Sequence, residues 1–118
     1  MEELREWTED LREASKKKII LVEGMKDKRA LEEFGVGNII ILKGRALFKV
    51  VEEVIESGKE CIILFDLDKK GKELFGRVNS RLQHFGVKVD NSFREFLFKN
   101  TKLRQVEGLV SYLKRIEA

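Results

Sequence analysis

The chain has no proline, one cysteine, one histidine, one tyrosine and one tryptophan in 118 residues. A single cysteine excludes an internal disulfide. Cys61 lies inside an apolar run and reads as a small core residue, not a nucleophile or ligand. Zinc wants cysteine or histidine ligands, and one of each is too few; His84 falls in the middle of a helical pattern and reads as a surface or packing residue. No apolar run approaches the length of a membrane span. The start, Met1-Glu2-Glu3-Leu4-Arg5-Glu6, is charged where a secretory signal would be apolar. A cytoplasmic protein with no membrane partner is expected. The Lys- and Glu-rich composition is common in heat-adapted proteins, but the proline-rich loops that often accompany it are missing. Net charge is also scarce: 38% of residues are charged, yet the balance is only +3. Such a surface permits contact with a polyanion without demanding it.

What is present is enough for one core. The hydrophobic fraction is 42%, and the length is that of one domain. Residues 2–14 carry Leu4, Trp7 and Leu11 at helical spacing, with Trp7 as a packing anchor. Lys16, Lys17 and Lys18 read as a solvated strand entrance. Continuously apolar runs at 18–22, 38–42 and 61–65 predict parallel strands covered on both faces. Helical patterns at 26–34, 46–57 and 70–85 alternate with them, and Gly35, Gly58 and Gly86 stand after their ends. A short fourth strand is expected at 87–89. The order is that of an α/β fold, Rossmann-like, with a four-stranded, mainly parallel sheet flanked by helices. One domain spans 1–118: a core of about 17–89, an N-terminal helix within 1–16 and a C-terminal helical extension over 91–118.

That extension has two parts. Residues 91–100 hold Phe93, Phe96, Leu97 and Phe98, some to pack on the sheet and the rest as a patch for a protein partner or a second copy. Residues 101–118 read as a last helix with a stripe of Leu103, Val106, Val110 and Leu113, widened by Leu109 and Ile116. Gly108 inside it would weaken it by about 1 kcal/mol relative to Ala.

The chemistry gathers at strand ends. In open parallel sheets, functional groups collect beyond the carboxyl ends of the strands. Glu23 stands at the first such end, Lys43, Gly44 and Arg45 at the second, Asp66 and Asp68 at the third. Asp66 and Asp68 are two residues apart and project to one side if the strand persists. Crowded acids repel unless a cation sits between them. If the first and third strands are neighbours, Glu23 faces both aspartates across roughly 5 Å. Three carboxylates with no soft ligand suit Mg²⁺ or Mn²⁺, which keep waters for substrate phosphates. Lys26, Lys28, Arg29, Lys43, Arg45, Lys69, Lys70 and Lys72 lie on the adjoining loops and first helical turns. Acids for a metal ringed by cations for phosphates is the layout of phosphoryl transfer. Solvated charged loops are the plain alternative. A calcium loop starting at Asp66 fails because its twelfth position is Arg77. The string Phe65-Asp66-Leu67-Asp68 also looks like a haloacid-dehalogenase nucleophile motif. In that family the motif sits on the first strand, and here two strands precede it.

The run Ile20-Leu21-Val22-Glu23-Gly24, then Gly44, then Asp66-Leu67-Asp68-x-x-Gly71 resembles the Toprim domain. Topoisomerases, bacterial-type primases, old-family nucleases, recombination protein R and the ribonuclease M5 group share it. The segment Glu23-Gly24-Met25-Lys26-Asp27 is closest in style to the M5 and small primase-like group. The resemblance implies adjacent first and third strands and Mg²⁺ held by Asp66 and Asp68. It implies Glu23 as ligand or general acid/base in strand cleavage or nucleotidyl transfer. If the protein is an enzyme of this kind, Lys26, Lys43, Gly44, Arg45 and Lys69 are the residues expected next to phosphates. Leu67 stands where many members have Pro, and Lys69 where Arg is frequent. Tyr112, the only tyrosine, lies on the last helix, so the topoisomerase chemistry is missing. The expected function is Mg²⁺-dependent phosphoryl transfer on nucleic acid, RNA before DNA, as a small nuclease or M5-like RNA-processing protein. The alternatives are a non-catalytic metal-dependent nucleic-acid-binding or adaptor module and a primase-like nucleotidyl transferase.

Overall fold

Ile19–Val22 forms β1, and all four residues are buried, because helices cover both faces of the strand. The computed structural model describes residues 2–117; at 2, 110, 114, 116 and 117 it describes the backbone alone. Before β1 comes α1 (Glu2–Ala14). After it come α2 (Met25–Glu32), β2 (Ile39–Ile41), α3 (Leu47–Ser57), β3 (Cys61–Ile63), α4 (Lys69–His84), α5 (Ser92–Asn100) and α6 (Gly108–Glu117). The sheet order is β2-β1-β3, all parallel. Ile20 pairs with Ile39 on one side of β1 and with Ile62 on the other. The first and third strands are therefore neighbours, as expected.

Alternation along the strands sends side chains into two layers. Ile20, Val22, Ile62 and Leu64 pack with Leu4, Trp7 and Leu11 of α1, Leu31 of α2, Leu97 of α5, and Leu109 and Leu113 of α6. Ile19, Leu21, Cys61, Ile63 and Phe65 pack with Val50, Val51 and Val54 of α3 and with Val78 and Leu82 of α4. Each fully buried Leu, Ile or Phe contributes about 1.5–3 kcal/mol over an exposed one. Burial also pushes the Cys61 thiol up to about 12, which keeps it an inert core group. Trp7 is the expected anchor: its indole Nε1 donates to the Phe93 carbonyl at 2.9 Å, and its ring meets Phe93 edge-on.

Two expectations need correction. The fourth strand is a single parallel bridge, Cys61 to Val89, so the sheet has three strands. Pairing stops because Asp90 turns the chain: its carboxylate accepts the Ser92 amide and hydroxyl, starting α5, and is tied to Lys18 at 3.3 Å. The aromatic stretch then forms a helix, with Leu97 buried, Phe93 and Phe96 half-buried against the core and Phe98 exposed. Finally, the last helix begins at Gly108, not at 101. Gly108 is its first residue, so the cost of an interior glycine does not arise. Residues 101–105 run without helical structure because their backbone is bonded elsewhere: the Leu67 amide donates to the Arg104 carbonyl at 2.7 Å. Leu103 and Val106 still pack on the core from this strap. Val110 and Ile116, expected on the same stripe, have side chains outside the described residues. Among the described residues no helix is long and apolar enough to cross a membrane.

Candidate active site

β1 ends at Val22, and the next residue reaches sideways. The Glu23 carboxylate accepts the Asp66 backbone N–H at 2.6 Å, which ties the exit of β1 to the exit of β3. β3 ends at Ile63, and the chain to Asp68 is irregular, so the two aspartates are not displayed by strand alternation. Asp66 Oδ1 accepts the Val106 N–H at 2.9 Å. Its carbonyl accepts Arg94 Nη2 at 3.1 Å. Asp68 is the N-cap of α4, its Oδ1 accepting the Gly71 N–H at 2.8 Å. Gly71 has a further role: a Cβ there would run into the Asp66 carbonyl, so only glycine lets the first turn of α4 close on this loop. Gly44 supplies the left-handed turn, φ 82°, that leads from β2 towards α3.

Glu23 and Asp66 border an open cleft of about 790 Å³, lined also by Asp27 and Glu107 among acids and by Lys26, Arg29, Lys43 and Lys70 among bases. The acids crowd one another. Burial raises the Glu23 carboxyl above its ordinary value, and the charges of Asp66 and Asp68 raise it further against the opposing bond from Asp66. Asp66 is likewise raised by burial and by Asp68 and Glu107. Asp27 caps α2 by accepting the Gly24 N–H at 3.1 Å and is pushed up to about 6, mainly by burial. Opposite them, burial lowers the Arg94 guanidinium while the Glu23 charge pulls it back.

The residues expected at the site are placed as follows. Glu23 and Asp66 line the cleft together, and Asp68 couples to both electrostatically from the exposed start of α4. Lys26 and Lys43 line it as well. Arg45 is bonded to Glu53 on α3 at 2.6 Å, and neither Gly44 nor Lys69 borders the cleft. Sequence reasoning missed Arg94, Gln105, Val106 and Glu107, which arrive from α5 and the strap. A helical spacing of Phe93, Phe96 and Leu97 was available to place Arg94 on α5; no local signal bends the strap back to Asp66.

The donors are oxygen alone. Glu23, Asp66 and Asp68 each give one carboxylate oxygen to a backbone amide and keep the other without a hydrogen bond among the described residues. Carboxylate donors of this kind fit a hard divalent cation that retains several waters, and they do not fit zinc. Among the described residues no group of three or more His, Cys, Asp or Glu side chains is placed to hold a metal ion as they stand, so Glu23, Asp66 and Asp68 would have to draw together around one.

Acids gathered at the carboxyl edge of a parallel sheet and faced by lysines and arginines define an α/β domain with an acidic strand-end cleft. The family model of the Toprim domain matches residues 18–90, and the chain belongs to the Toprim family. It is similar to UPF0292 protein MJ1624 of Methanocaldococcus jannaschii, 33% identical over 118 residues, covering 97% of this chain and 92% of that one. UPF0292 protein PYRAB04740 of Pyrococcus abyssi is 36% identical over 90 residues, 76% of this chain and 67% of its own. A solved structure of a protein from Aquifex aeolicus superposes with a TM-score of 0.83 at 37% identity, covering 87% of this chain and 94% of that one. Glu23, Asp66 and Asp68 fall inside the Toprim match; Arg94 and the strap fall after it.

Proposed function

We propose that this chain carries out Mg²⁺-dependent phosphoryl transfer on nucleic acid, as a small nuclease or RNA-processing protein of M5-like kind. The observation that carries the reading is the bond from the Glu23 carboxylate to the Asp66 amide, which puts acids from two strand ends on one cleft facing Lys26, Arg29, Lys43 and Lys70. Glu23, Asp66 and Asp68 are the residues that would hold Mg²⁺ or Mn²⁺, through the oxygens not bonded to amides. Bound there, the ion would neutralise charge on the phosphate oxygens. Lys26, Lys43 and Lys70 hold the phosphate backbone against the acids. Glu23, with its pKa raised, is suited to hold or release a proton at the reacting water or hydroxyl. The Arg94 bond to the Asp66 carbonyl and the Val106 bond to its carboxylate fix the aspartate in place.

A second reading is a non-catalytic, metal-dependent nucleic-acid-binding or adaptor module. That no three acids among the described residues are placed to hold a metal ion as they stand favours its non-catalytic character. A primase-like nucleotidyl transferase stands behind both.

Labelled structured RNA and DNA, incubated with Mg²⁺ or Mn²⁺ and with chelator, test the reading. Wild-type protein should cut one of them only with metal, and Glu23→Gln and Asp66→Asn should each cut at least a hundredfold more slowly, on the order of the loss of a charge-stabilising group. Metal-dependent binding without turnover supports the adaptor reading, and cleavage that survives both substitutions sinks the catalytic one.

A further inference from the structure

A second cavity, of about 250 Å³, opens beside α4 and α5, with Lys72, Phe75, Asn91, Arg94 and Phe98 on its walls and Glu95 as its one acid. Two of these residues each hold a buried polar atom with no hydrogen-bond partner among the described residues: Asn91 Oδ1, an acceptor, and Arg94 Nε, a donor. Buried atoms of this kind normally take a partner, whether a water or a group of a bound molecule. Arg94 is held rigidly, its guanidinium 4.2 Å from the Phe75 ring centroid and its Nη2 on the Asp66 carbonyl, so the orientation of Nε is fixed. One residue therefore touches both the Asp66 loop and this cavity.

At the mouth stands Phe98, 43% exposed, where a buried aromatic would be the ordinary outcome. Cations surround it: Lys72 Nζ lies 4.6 Å and the Arg104 guanidinium 5.2 Å from the ring centroid. Arg104 is anchored by the Leu103 carbonyl at 2.8 Å, whereas Lys72 has no acidic partner among the described residues and is free to leave the ring for a phosphate. An exposed aromatic face, an adjacent donor and acceptor, and cations at the rim are what single-stranded nucleic acid asks for. Unstacked bases lie on aromatic side chains, are read along their edges by polar groups, and carry phosphates that cations neutralise. The space is slightly smaller than the roughly 300–1,000 Å³ of pockets that take whole small molecules, and so suits a ring more than a complete nucleotide.

We infer that this cavity is a subsite for one unpaired base of the strand whose phosphates lie against the acidic cleft, stacked on Phe98 with its edge on Asn91 Oδ1 and Arg94 Nε. The inference rests on the nucleic-acid reading above, and its test is independent of cleavage. Fluorescence anisotropy would measure binding of two end-labelled single-stranded oligonucleotides of equal length, one with normal bases and one with abasic residues throughout. Phe98→Ala should weaken binding of the normal strand about tenfold, the size of one stacked base. It should leave the abasic strand unchanged, and Phe98→Trp should restore the loss. Because Phe98 is exposed, the Ala variant is expected to fold; Asn91→Leu, which removes the acceptor instead, should lower affinity for the normal strand in the same direction. Equal loss on both strands, no loss on the normal strand, or no binding of either strand overturns the subsite. Metal-dependent cleavage that needs Glu23 and Asp66 but ignores Phe98 removes the subsite alone. Base-dependent binding through Phe98 without any cleavage removes the catalytic reading alone.

Discussion

Glu23 and Asp66 are 43 residues apart in sequence and joined by a 2.6 Å hydrogen bond, carboxylate to backbone amide. The bond fixes an acid on the end of one strand to the loop leaving its neighbour. It also separates what Glu23 does for the fold from what its charge does for an ion. Glu23→Gln keeps an acceptor for the Asp66 amide and should stay within about 1 kcal/mol of wild type. Glu23→Ala leaves that amide unpaired and should cost about 1–3 kcal/mol. Urea unfolding of both variants checks the difference; equal losses would mean the bond contributes nothing.

Gly71 stands against the Asp66 carbonyl, with no room for a side chain. Gly71→Ala must push the start of α4 away from the loop, and should destabilise by about 1–3 kcal/mol, the usual cost of overpacking. Because the same shift moves Asp68 and Asp66, divalent-cation affinity should fall as well. Unchanged unfolding and unchanged affinity would contradict the close approach.

Asp27 gives a pH signature. Its carboxyl is pushed up to about 6 from an ordinary 3.8, so the folded state binds this proton more tightly than the unfolded chain. For a raised acid, the stabilising contribution is present at low pH and is lost as pH rises through about 6. Without divalent cations, Asp27→Asn should be more stable than wild type at pH 7 by about 1–3 kcal/mol, because an amide oxygen still accepts the Gly24 N–H. The gap should close towards pH 4. Thermal unfolding across that range measures it, and a gap that grows on acidification would reverse the sign.

Trp7 serves as the packing control. Trp7→Phe loses the bond to the Phe93 carbonyl and should cost about 1–2 kcal/mol in unfolding. Cation binding at the far edge of the sheet should not change, and a loss there would show that α1 takes part in the site.

Much of this was legible in the sequence. The continuous apolar runs at 18–22, 38–42 and 61–65 gave the parallel strands because burial on both faces removes any need for alternation. Glu23, Asp66 and Asp68 stood out because acids at strand ends are costly without a purpose. Val87 and Val89 look like strand residues, but Asp90 and Ser92 end the pairing by forming their own turn. The strap was misread as helix because Leu103 and Val106 have helical spacing. Its backbone partners are the Leu67 amide and the Asp66 carboxylate, far away in sequence, and no local pattern encodes them. Arg94 reaches the site from α5 and Glu107 from the strap, and no local pattern in either segment points to Asp66.

Central to the proposed function is that Glu23, Asp66 and Asp68 would share one divalent cation. Titration of the protein with Mn²⁺, read by electron paramagnetic resonance of the free ion at pH 7.5 (roughly), tests it most directly. Wild type should remove one equivalent of Mn²⁺, Mg²⁺ should compete, and Glu23→Gln and Asp66→Asn should each weaken binding about tenfold or more. Affinity should fall on acidification, as protons return to the raised carboxyls. Equal Mn²⁺ binding by wild type and both variants would contradict the claim.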